Sequence, residues 1–408
     1  MSDSATNENL REGRGERPSA GEQQGGTVKK GWTAVPLGEL CDVLDNKRKP
    51  ITKRDRETGE YPYYGATGIK DYVSGYIFDE PLVLVGEDGA KWASGDQTAF
   101  AIEGKCWVNN HAHVLRPHRT RLIDNWLIHF FFYSDLSEFV SGLTVPKLNQ
   151  GNLREILIPL PPLAEQQRIV GLLDEAFEGL ASAKANAEKN LQNARALFES
   201  HLQSVFTQRG PGWVDRTLDQ VCIVERGSSP RPIKEYFTTE ADGVNWIKIG
   251  DTEEGGKYVH STAQKITPKG AEQSRFVKEG DFILTNSMSY GRPYIMKTSG
   301  YIHDGWFVLR LNMAIDIDYF YYLLSSPVVQ LQFASLASGS VVKNISGDLV
   351  KKAVLPIPPL EHQHTIVEKL LTLEEETQRL ARLNEQKLAA LAALKKSLLH
   401  QAFTGELL

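Results

Sequence analysis

Apolar residues recur at steps of three or four through a long segment of the chain, which is the pattern of an amphipathic helix. They run without a break from Ile169 to Val205. Pro161-Pro162 precede this pattern and Gly210-Pro211-Gly212 follow it, and such residues are typical of helix boundaries. The pattern therefore predicts one continuous helix in the segment 163–208, of roughly 44 residues and about 66 Å at 1.5 Å per residue.

The same pattern occurs again further along the chain. Ile158-Pro-Leu-Pro-Pro-Leu163 corresponds to Leu355-Pro-Ile-Pro-Pro-Leu360, an offset of 197 residues (355 minus 158), and the offset still holds at Phe206 and Phe403. Since no insertion separates these points, the two predicted helices have equal length. The chain is one unit repeated: a globular domain and a long helix, then the same pair again.

A second set of matches opens each domain, whereas the interiors diverge. Gly31-Trp32 corresponds to Gly212-Trp213, and Cys41 corresponds to Cys222. One architecture thus carries two different surfaces. The first thirty residues contain almost nothing to bury and are predicted to be disordered. The predicted boundaries are a tail at 1–30, domain 1 at 31–160, a helix at 161–209, domain 2 at 210–357 and a helix at 358–408.

Both domains are predicted to be α+β. Short apolar runs between glycine-containing turns indicate strands. These runs are Tyr76–Phe78, Leu82–Val85, Phe100–Ile102 and Cys106–Val108 in domain 1, and Asn245–Ile249, Asp281–Leu284 and Gly305–Leu309 in domain 2. An aromatic-rich helix is predicted after them in each domain, at Asn125–Phe139 and at Asp318–Phe333.

The long helices need partners, because a helix with one apolar face is not stable alone in water. The second must run back from domain 2, so an antiparallel coiled coil is the default, although a homodimer through the same face is a further possibility. The predicted contact residues between the helices, the seam, are Ile169, Leu173, Leu180, Leu191, Phe198 and Leu202, with Ile366, Leu370, Leu373, Leu380, Leu388, Leu391 and Leu399.

Three residues interrupt the seam of the second helix, namely Thr377, Asn384 and Lys395. Leu383 and Leu394 lie beside these positions, and we expect them to widen the stripe and to compensate in part. Asn384 either fixes the register of the pair or lies on its rim, and the sequence leaves both readings open.

The composition narrows the class of protein. The 408 residues are 41% hydrophobic and 24% charged, as in ordinary globular proteins. No apolar run is long enough to span a bilayer, and no signal peptide is recognisable, so a cytoplasmic protein without a membrane partner is expected. Cys41, Cys106 and Cys222 fit no metal-ligand spacing and are expected to be reduced, buried side chains.

Charge argues against a simple basic clamp around DNA, since the net charge is −5. Residues 31–160 carry 14 basic and 17 acidic residues, and residues 210–357 carry 16 of each. Any surface for nucleic acid must therefore be a local patch, or a partner must supply much of the positive charge.

Several loops concentrate basic, glycine and small polar residues. Arginine and lysine suit phosphates and guanine edges, and asparagine suits adenine, although such runs are also what an ordinary solvated surface looks like. The candidate DNA-binding residues are Lys47, Arg48, Lys49, Lys53, Arg54 and Lys91 in domain 1, and Arg226, Ser228, Ser229, Arg231, Asn286, Ser287, Tyr290 and Arg292 in domain 2.

The sequence lacks recognisable catalytic motifs. It has no phosphate-binding Gly-x-x-x-x-Gly-Lys-[Ser/Thr] loop, no Asn-Pro-Pro-aromatic motif and no glycine-rich loop for S-adenosylmethionine. Asp96 with Glu103 and Lys105 loosely matches a Mg²⁺-dependent nuclease site, but Gly104 is better explained by a hairpin turn. His111 and His113 are expected on one side of a strand, as structural histidines. We predict no catalytic residue and no metal site.

The junctions between the domains and helices carry a family resemblance. Leu160-Pro-Pro-Leu-Ala-Glu-Gln-Gln-Arg-Ile-Val170 and Ile357-Pro-Pro-Leu-Glu-His-Gln-His-Thr-Ile-Val367 resemble the specificity subunits of type I restriction-modification enzymes, as do Tyr63–Ile69, Pro146–Asn149 and Lys248–Asp251. The resemblance covers nearly everything after residue 30. His362 departs from it, because the first copy has Glu165 there.

The resemblance implies two target recognition domains held by an antiparallel spacer, a fold that reads a bipartite, gapped double-stranded DNA site in phage defence. It also implies two methyltransferase subunits and restriction subunits as partners, which would carry S-adenosylmethionine, Mg²⁺ and ATP while this chain binds no cofactor. Two alternatives remain at this point: a two-headed protein-binding scaffold, and a Mg²⁺-dependent nuclease that uses Glu103 and Lys105.

Overall fold

The computed structural model describes residues 29–142, 144–253, 255–286, 291–336 and 346–407. The chain forms two compact units: unit 1 comprises residues up to Asn186 together with those from Lys387 onward, and unit 2 comprises Ala187–Gln386. Each unit therefore contains one α+β domain, the first part of the long helix that follows this domain, and the last part of the other long helix.

The described residues of domain 1, in unit 1, form twelve strands and two short α-helices, and the first long helix follows. The strands are β1 (Thr33–Pro36), β2 (Cys41–Val43), β3 (Thr58–Gly65), β4 (Gly68–Val73), β5 (Phe78–Asp79), β6 (Leu82–Gly86), β7 (Ala99–Ile102), β8 (Lys105–Val108), β9 (Ala112–Pro117), β10 (Val140–Ser141), β11 (Lys147–Leu148) and β12 (Leu157–Leu160). The helices are α1 (Asp124–Tyr133), α2 (Gln150–Glu155) and α3 (Leu163–Thr207).

Two four-stranded sheets pack face to face in domain 1, with strand orders β2-β9-β6-β7 and β4-β3-β8-β5. The central strand β6 is buried throughout. Because successive side chains of a strand point to opposite faces, Leu82 and Leu84 pack between the two sheets, whereas Val83 and Val85 pack into the core beneath α1. A continuous apolar run in the sequence therefore marks a strand that is covered on both sides.

Domain 2 in unit 2 repeats this plan. Its strands are β13 (Val214–Thr217), β14 (Cys222–Arg226), β15 (Phe237–Thr238), β16 (Val244–Ile247), β17 (Tyr258–Val259), β18 (Gln264–Ile266), β19 (Arg275–Val277), β20 (Phe282–Thr285), β21 (Pro293–Met296), β22 (Gly300–Ile302), β23 (Trp306–Leu311) and β24 (Val354–Ile357). Its helices are α4 (Leu218–Val221), α5 (Pro268–Ala271), α6 (Ile317–Ser325), α7 (Pro327–Leu336) and α8 (Gly347–Val350), followed by α9 (Leu360–Thr404). The two main sheets have the orders β14-β23-β20-β21-β17 and β15-β18-β16-β22-β19.

Each domain is closed by a two-stranded antiparallel ribbon, the closing pair. In domain 1, β1 pairs with β12, so that Thr33 lies opposite Leu160. In domain 2, β13 pairs with β24, so that Val214 lies opposite Ile357. The chain therefore enters and leaves each domain on neighbouring strands.

A buried glutamine repeats at the start of each long helix. The side chain of Gln166 accepts a hydrogen bond from the Ile123 amide (3.0 Å) and donates to the carbonyls of Arg121 and Pro161 (2.9 Å each). Gln363, 197 residues later, accepts from the Asp316 amide and donates to the Pro358 carbonyl, at 2.9 Å each. The repeated glutamine thus ties each helix start to the loop before the aromatic-rich helix.

The aromatic-rich helices are shorter than the sequence pattern predicted. The first ends at Tyr133, where Ser134 takes an extended backbone conformation. The second is broken into α6 and α7 at Ser326, which is also extended. Pro327 accounts for this break, because a proline disfavours the helical conformation in the residue before it.

The long helices confirm the predicted repeat. Each has 45 residues, and both their first residues and their last residues are 197 positions apart. In unit 1, Arg168 donates to the Leu407 carbonyl (3.1 Å), and the Lys395 ammonium lies 4.7 Å from the Phe177 ring. In unit 2, Arg195 pairs with Glu385 at 3.0 Å. In unit 1, Arg168 contacts Leu407 and the later Phe177 contacts the earlier Lys395, so the two segments run antiparallel there.

The apolar stripe of α9 corrects the predicted seam at one residue. Leu380 is 39% exposed, whereas Thr377 is buried and satisfies its hydroxyl on the Leu373 carbonyl (2.8 Å). Leu380 comes three residues after Thr377, and three residues of an α-helix fall about 60° short of a full turn. The Leu380 side chain therefore points away from the stripe. Leu383 and Leu394 are exposed as well and do not widen the stripe.

The remaining predicted seam residues are all buried or half-buried. Asn384 is half-buried and donates to the Leu380 carbonyl of its own helix (2.8 Å). The buried members are Ile169, Leu173, Leu202, Leu370 and Leu399, and the half-buried members are Leu180, Leu191, Phe198, Ile366, Leu373, Leu388 and Leu391. Within the described ranges, no helix combines the length and apolar character needed to cross a membrane.

All three cysteines are buried, as expected. Burial raises the pKa of the Cys41 and Cys222 thiols to about 12 and that of Cys106 to about 11. Such thiols stay protonated at neutral pH and are poor nucleophiles.

Candidate nucleic-acid interface

Three loops from corresponding places meet at one end of each domain. Loop A follows the first strand of the main sheet, at residues 44–56 and 227–232. Loop B joins β6 to β7 over residues 87–98, and in domain 2 it joins β20 to β21 and is described at residues 286, 291 and 292. Loop C precedes β9 and β23, at residues 109–111 and 303–305. Most of the predicted DNA-binding residues lie in these loops.

A buried arginine connects the loops of domain 1. Arg48 of loop A contacts the Glu87 carboxylate of loop B, donates to the Ala112 carbonyl (2.7 Å) and pairs with Asp45 at 3.3 Å. Only 12% of its side chain is exposed. Because the N–H donors of Arg48 bind groups inside the domain, this residue holds the loops together. The geometry therefore argues against the predicted contact of Arg48 with DNA.

Arg48 belongs to a compact ionic cluster, which we call the loop anchor: Asp45, Arg48, Glu87, His113 and Lys147. The His113 ring is buried, with Nδ1 2.6 Å from Asp45 and Nε2 2.7 Å from the Leu148 carbonyl. Lys147 pairs with Glu87 at 2.8 Å. Burial opposes ionisation of Asp45, yet its hydrogen bond with His113 and the amide of Val114 hold its pKa below the ordinary value.

The loop anchor also contains the group of possible metal ligands that lies close together in the described part of the chain, namely Asp45, Glu87 and His113. Arg48 and Lys147 already neutralise both carboxylates, so the cluster fits an ion-pair network better than a cation site. Asp96 and Glu103 are not members of this group. Gly104 has a φ of 75° in the turn between β7 and β8, but these strands lie in different sheets, so a turn is present where the sequence predicted one and it is not a hairpin.

The two histidines do not share a face of one strand, contrary to the prediction. His113 lies in β9 and is a satisfied structural residue, but His111 precedes this strand. The exposed His111 ring contacts the Asp88 carboxylate. The strand begins one residue later than the pattern suggested, so the period-two argument does not reach His111.

The exposed cations of loop A stand on a fixed backbone. Lys47, Lys49, Lys53 and Arg54 are all exposed. Trp107 donates to the Lys49 carbonyl (2.6 Å), and the Tyr63 hydroxyl accepts from the Ile51 amide (3.1 Å). Loop A of domain 1 therefore carries exposed, positively charged side chains on a backbone that is held by hydrogen bonds, and this arrangement suits phosphate contacts.

Lys91 of loop B lies on a shallow groove between loop B and the turn from β3 to β4. It is exposed. The groove is lined by Tyr64, Thr67, Gly68, Ile69, Gly89, Ala90, Lys91, Asp96, Gln97 and Phe100. Its wall includes most of the segment Tyr63–Ile69 that carries the family resemblance.

Asp304 connects the loops of domain 2, and sequence reasoning missed it. Its carboxylate accepts from the Ser229 hydroxyl (2.7 Å) and pairs with Arg231 (3.2 Å). Its backbone carbonyl accepts from Asn286 (2.6 Å) and Arg226 (3.2 Å). The hydrogen bond from Ser229 is the main cause of the lowered pKa of Asp304. The only signal in the sequence was a short polar turn between two apolar strands.

The other predicted residues of domain 2 differ in exposure. Asn286 is only 2% exposed and is thus a structural contact rather than a base-reading side chain. Ser228 is exposed and donates to the Gln273 carbonyl (2.7 Å). Arg292 is half-buried, whereas Arg226 and Arg231 are exposed. Ser287 and Tyr290 lie outside the described residues.

Comparisons with known proteins agree with this architecture. A type I restriction enzyme specificity subunit of Haemophilus influenzae is 28% identical over 342 residues, covering 81% of this chain and 85% of the relative. The MjaVIII specificity subunit of Methanocaldococcus jannaschii is 21% identical, covering 95% of each.

Two solved structures share the fold. One comes from work on complex assembly and conformational transition of the type I R-M system, with a TM-score of 0.74, 20% identity, and coverage of 92% of this chain and 98% of that chain. The HsdS subunit of Thermoanaerobacter tengcongensis has a TM-score of 0.60, 20% identity, and coverage of 94% and 99%.

The family described as the type I restriction modification DNA specificity domain matches the chain twice, over residues 29–191 and 211–388. These two matches contain both domains and most of both long helices. The chain belongs to the family of type I restriction-modification DNA specificity proteins.

Proposed function

We propose that the chain is the DNA sequence-recognition subunit of a type I restriction-modification enzyme and that its two domains read the two halves of a gapped double-stranded site. The observation that carries this proposal is the pair of family-matched domains, each of which brings loops A, B and C together with different residues. A shared frame with different loops suits two different half-sites.

The distribution of charge suggests that partner proteins supply part of the positive surface that binds DNA. Exposed cations cluster on loop A of domain 1 and on the Asp304 loops of domain 2, while the whole chain is acidic. Phosphate contacts supply most of the sequence-independent affinity for DNA. The chain alone is therefore expected to bind DNA weakly, and a partner that closes around the duplex would add basic surface.

We further propose that two methyltransferase subunits dock on the long helices and that restriction subunits join them. S-adenosylmethionine, Mg²⁺ and ATP would bind to these partners, which would also perform the chemistry. Exposed leucines beside the seam support docking: Leu172 and Leu394 in unit 1, and Leu197, Leu371 and Leu383 in unit 2. Where exposed apolar residues lie together on a surface, they often mark sites of protein association.

Methylation mapping of the host genome tests the proposal, with and without the gene for this chain. We expect a split motif to be methylated in the parent strain and unmethylated after deletion, with methylation restored by the gene on a plasmid. If no split motif depends on the gene, the chain does not have this function.

A further inference from the structure

We propose that Arg231 reads a guanine in the half-site bound by domain 2, and that Asp304 is the positioning residue that holds Arg231 for this contact. This inference rests on the proposed function and names the residue pair that sets part of its specificity.

The environment of Arg231 is that of an exposed but oriented arginine. Its side chain is 77% exposed, and one terminal nitrogen lies 3.2 Å from the Asp304 carboxylate. A guanidinium has five N–H donors in a rigid fork, so this contact leaves donors for a ligand. Two parallel donors match O6 and N7 of guanine in the major groove, which is the commonest base-specific contact of arginine.

Asp304 is itself held in place by hydrogen bonds, so its contact with Arg231 fixes the direction of the arginine side chain. The Ser229 hydroxyl donates to one carboxylate oxygen (2.7 Å) and accepts from the Asp304 amide (3.3 Å). The Asp304 carbonyl is held by Asn286 and Arg226. Because the fixed Asp304 carboxylate already restricts the long Arg231 side chain, this side chain loses less conformational entropy when it binds DNA.

The neighbouring Arg226 lacks this arrangement. Its Nε donates to a backbone carbonyl at 3.2 Å, and within the described residues it forms no ion pair with a carboxylate. We therefore assign Arg226 to the phosphate backbone, where charge matters more than the exact direction of the donors. In domain 1 the arginine that joins the loops, Arg48, is buried, so domain 1 reads DNA by other residues.

The test uses the full chain with its methyltransferase partner and a DNA pool in which every position of both half-sites is varied. We expect Arg231→Ala to lower the preference for G·C at one position of one half-site by roughly 5- to 150-fold. Arg231→Lys should have the same effect, because it keeps the charge and loses the fork. Asp304→Asn should weaken the same preference by a smaller factor and should add nothing to Arg231→Ala.

Controls separate reading from general binding and folding. Lys53→Ala removes an exposed cation of loop A in domain 1 and should weaken binding at all sequences alike and reduce the salt slope of log K by about 0.9. Arg195→Ala removes an exposed arginine that pairs with Glu385 on the long helices and should leave base preference unchanged. The second half-site is the internal control, and thermal melting checks that Asp304→Asn is folded.

Two results would overturn the inference: unchanged preference at every position with Arg231→Ala, or full preference with Arg231→Lys. Either result leaves the proposed function intact, provided that the wild-type complex still methylates a split motif. If the wild-type complex shows no split motif, the proposed function fails first.

Discussion

Lys47 and Arg48 are neighbours in the sequence with opposite environments. The Lys47 side chain is exposed, whereas Arg48 lies inside the loop anchor between two carboxylates. Arg48→Ala would leave Asp45 and Glu87 short of a buried cation, and we expect a loss of about 3–5 kcal/mol in the free energy of unfolding of unit 1. Lys47→Ala should change it by less than about 0.5 kcal/mol.

Denaturant unfolding and hydrogen exchange of the amides in β6 and β9 would measure both variants. Equal stability of the two variants would contradict a structural role for Arg48. In that case Arg48 would have to be considered again as a direct DNA contact.

The loop anchor also makes unit 1 sensitive to acid. The pKa of Asp45 is held below its ordinary value of 3.8, so its carboxylate adds stability that is fully present above that value. This contribution is lost as the pH falls through the lower, folded-state pKa. We expect the unfolding free energy of the wild type to fall more steeply below about pH 4 than that of Asp45→Asn. Parallel curves would show that Asp45 contributes nothing to the acid sensitivity.

Residue roles were the part that the sequence could least predict. The sequence singled out these loops but could not show which of their members are buried, because burial is decided by partners far along the chain. Asn286 resembles a base-reading residue until its contact with Asp304 is seen. Ser229 and Asp304 are 75 residues apart, and no local pattern connects them.

At the scale of elements, the glutamine at each helix start is the clearest repeated device. Gln166→Leu would remove three hydrogen bonds, and we expect a cost of about 1–3 kcal/mol for each buried group left without a partner. Gln167→Leu, at an exposed position on the same turn, should have little effect. Gln363→Leu should act in the same way on unit 2.

Hydrogen exchange resolved by unit would check this expectation. Faster exchange in unit 1 for Gln166→Leu and in unit 2 for Gln363→Leu is the expected result. If both variants exchange like Gln167→Leu, the repeated glutamines do not hold the helix starts.

Long elements were predicted well because their pattern repeats many times. The bounds of α3 and α9 follow from the 197-residue offset and from the prolines and glycines around them. Short elements were predicted less well. The break at Ser326 comes directly before Pro327, which is visible in the sequence, yet the aromatic run on both sides of it suggested one helix.

At the scale of the whole molecule, each long helix begins in one unit and ends in the other. An insertion in one helix alone therefore leaves it longer than its partner. We expect seven residues inserted only after Glu188 to lower the melting temperature. The same insertion also placed after Glu385 should restore stability and lengthen the gap of the methylated motif by about three base pairs, since seven residues add about 10 Å.

Thermal melting and methylation mapping would measure the single and paired insertions. An unchanged gap in a stable, active paired variant would show that the helices do not set the spacing. The repeat and the family could be read from the sequence at this scale. The bases could not, because the proposed reading of a guanine by Arg231 depends on its contact with Asp304, 73 residues along the chain.

The closing pair has a consequence for how such a protein can change. Pro36 lies opposite Leu157 in domain 1, and Thr217 lies opposite Val354 in domain 2. The two ends of the chain segment between the strands of a closing pair therefore lie side by side, whatever the length of that segment. A stretch of gene that encodes this interior can therefore be exchanged as a cassette while the ends of the domain stay in place, and under the proposed function such an exchange would change the half-site that the domain reads.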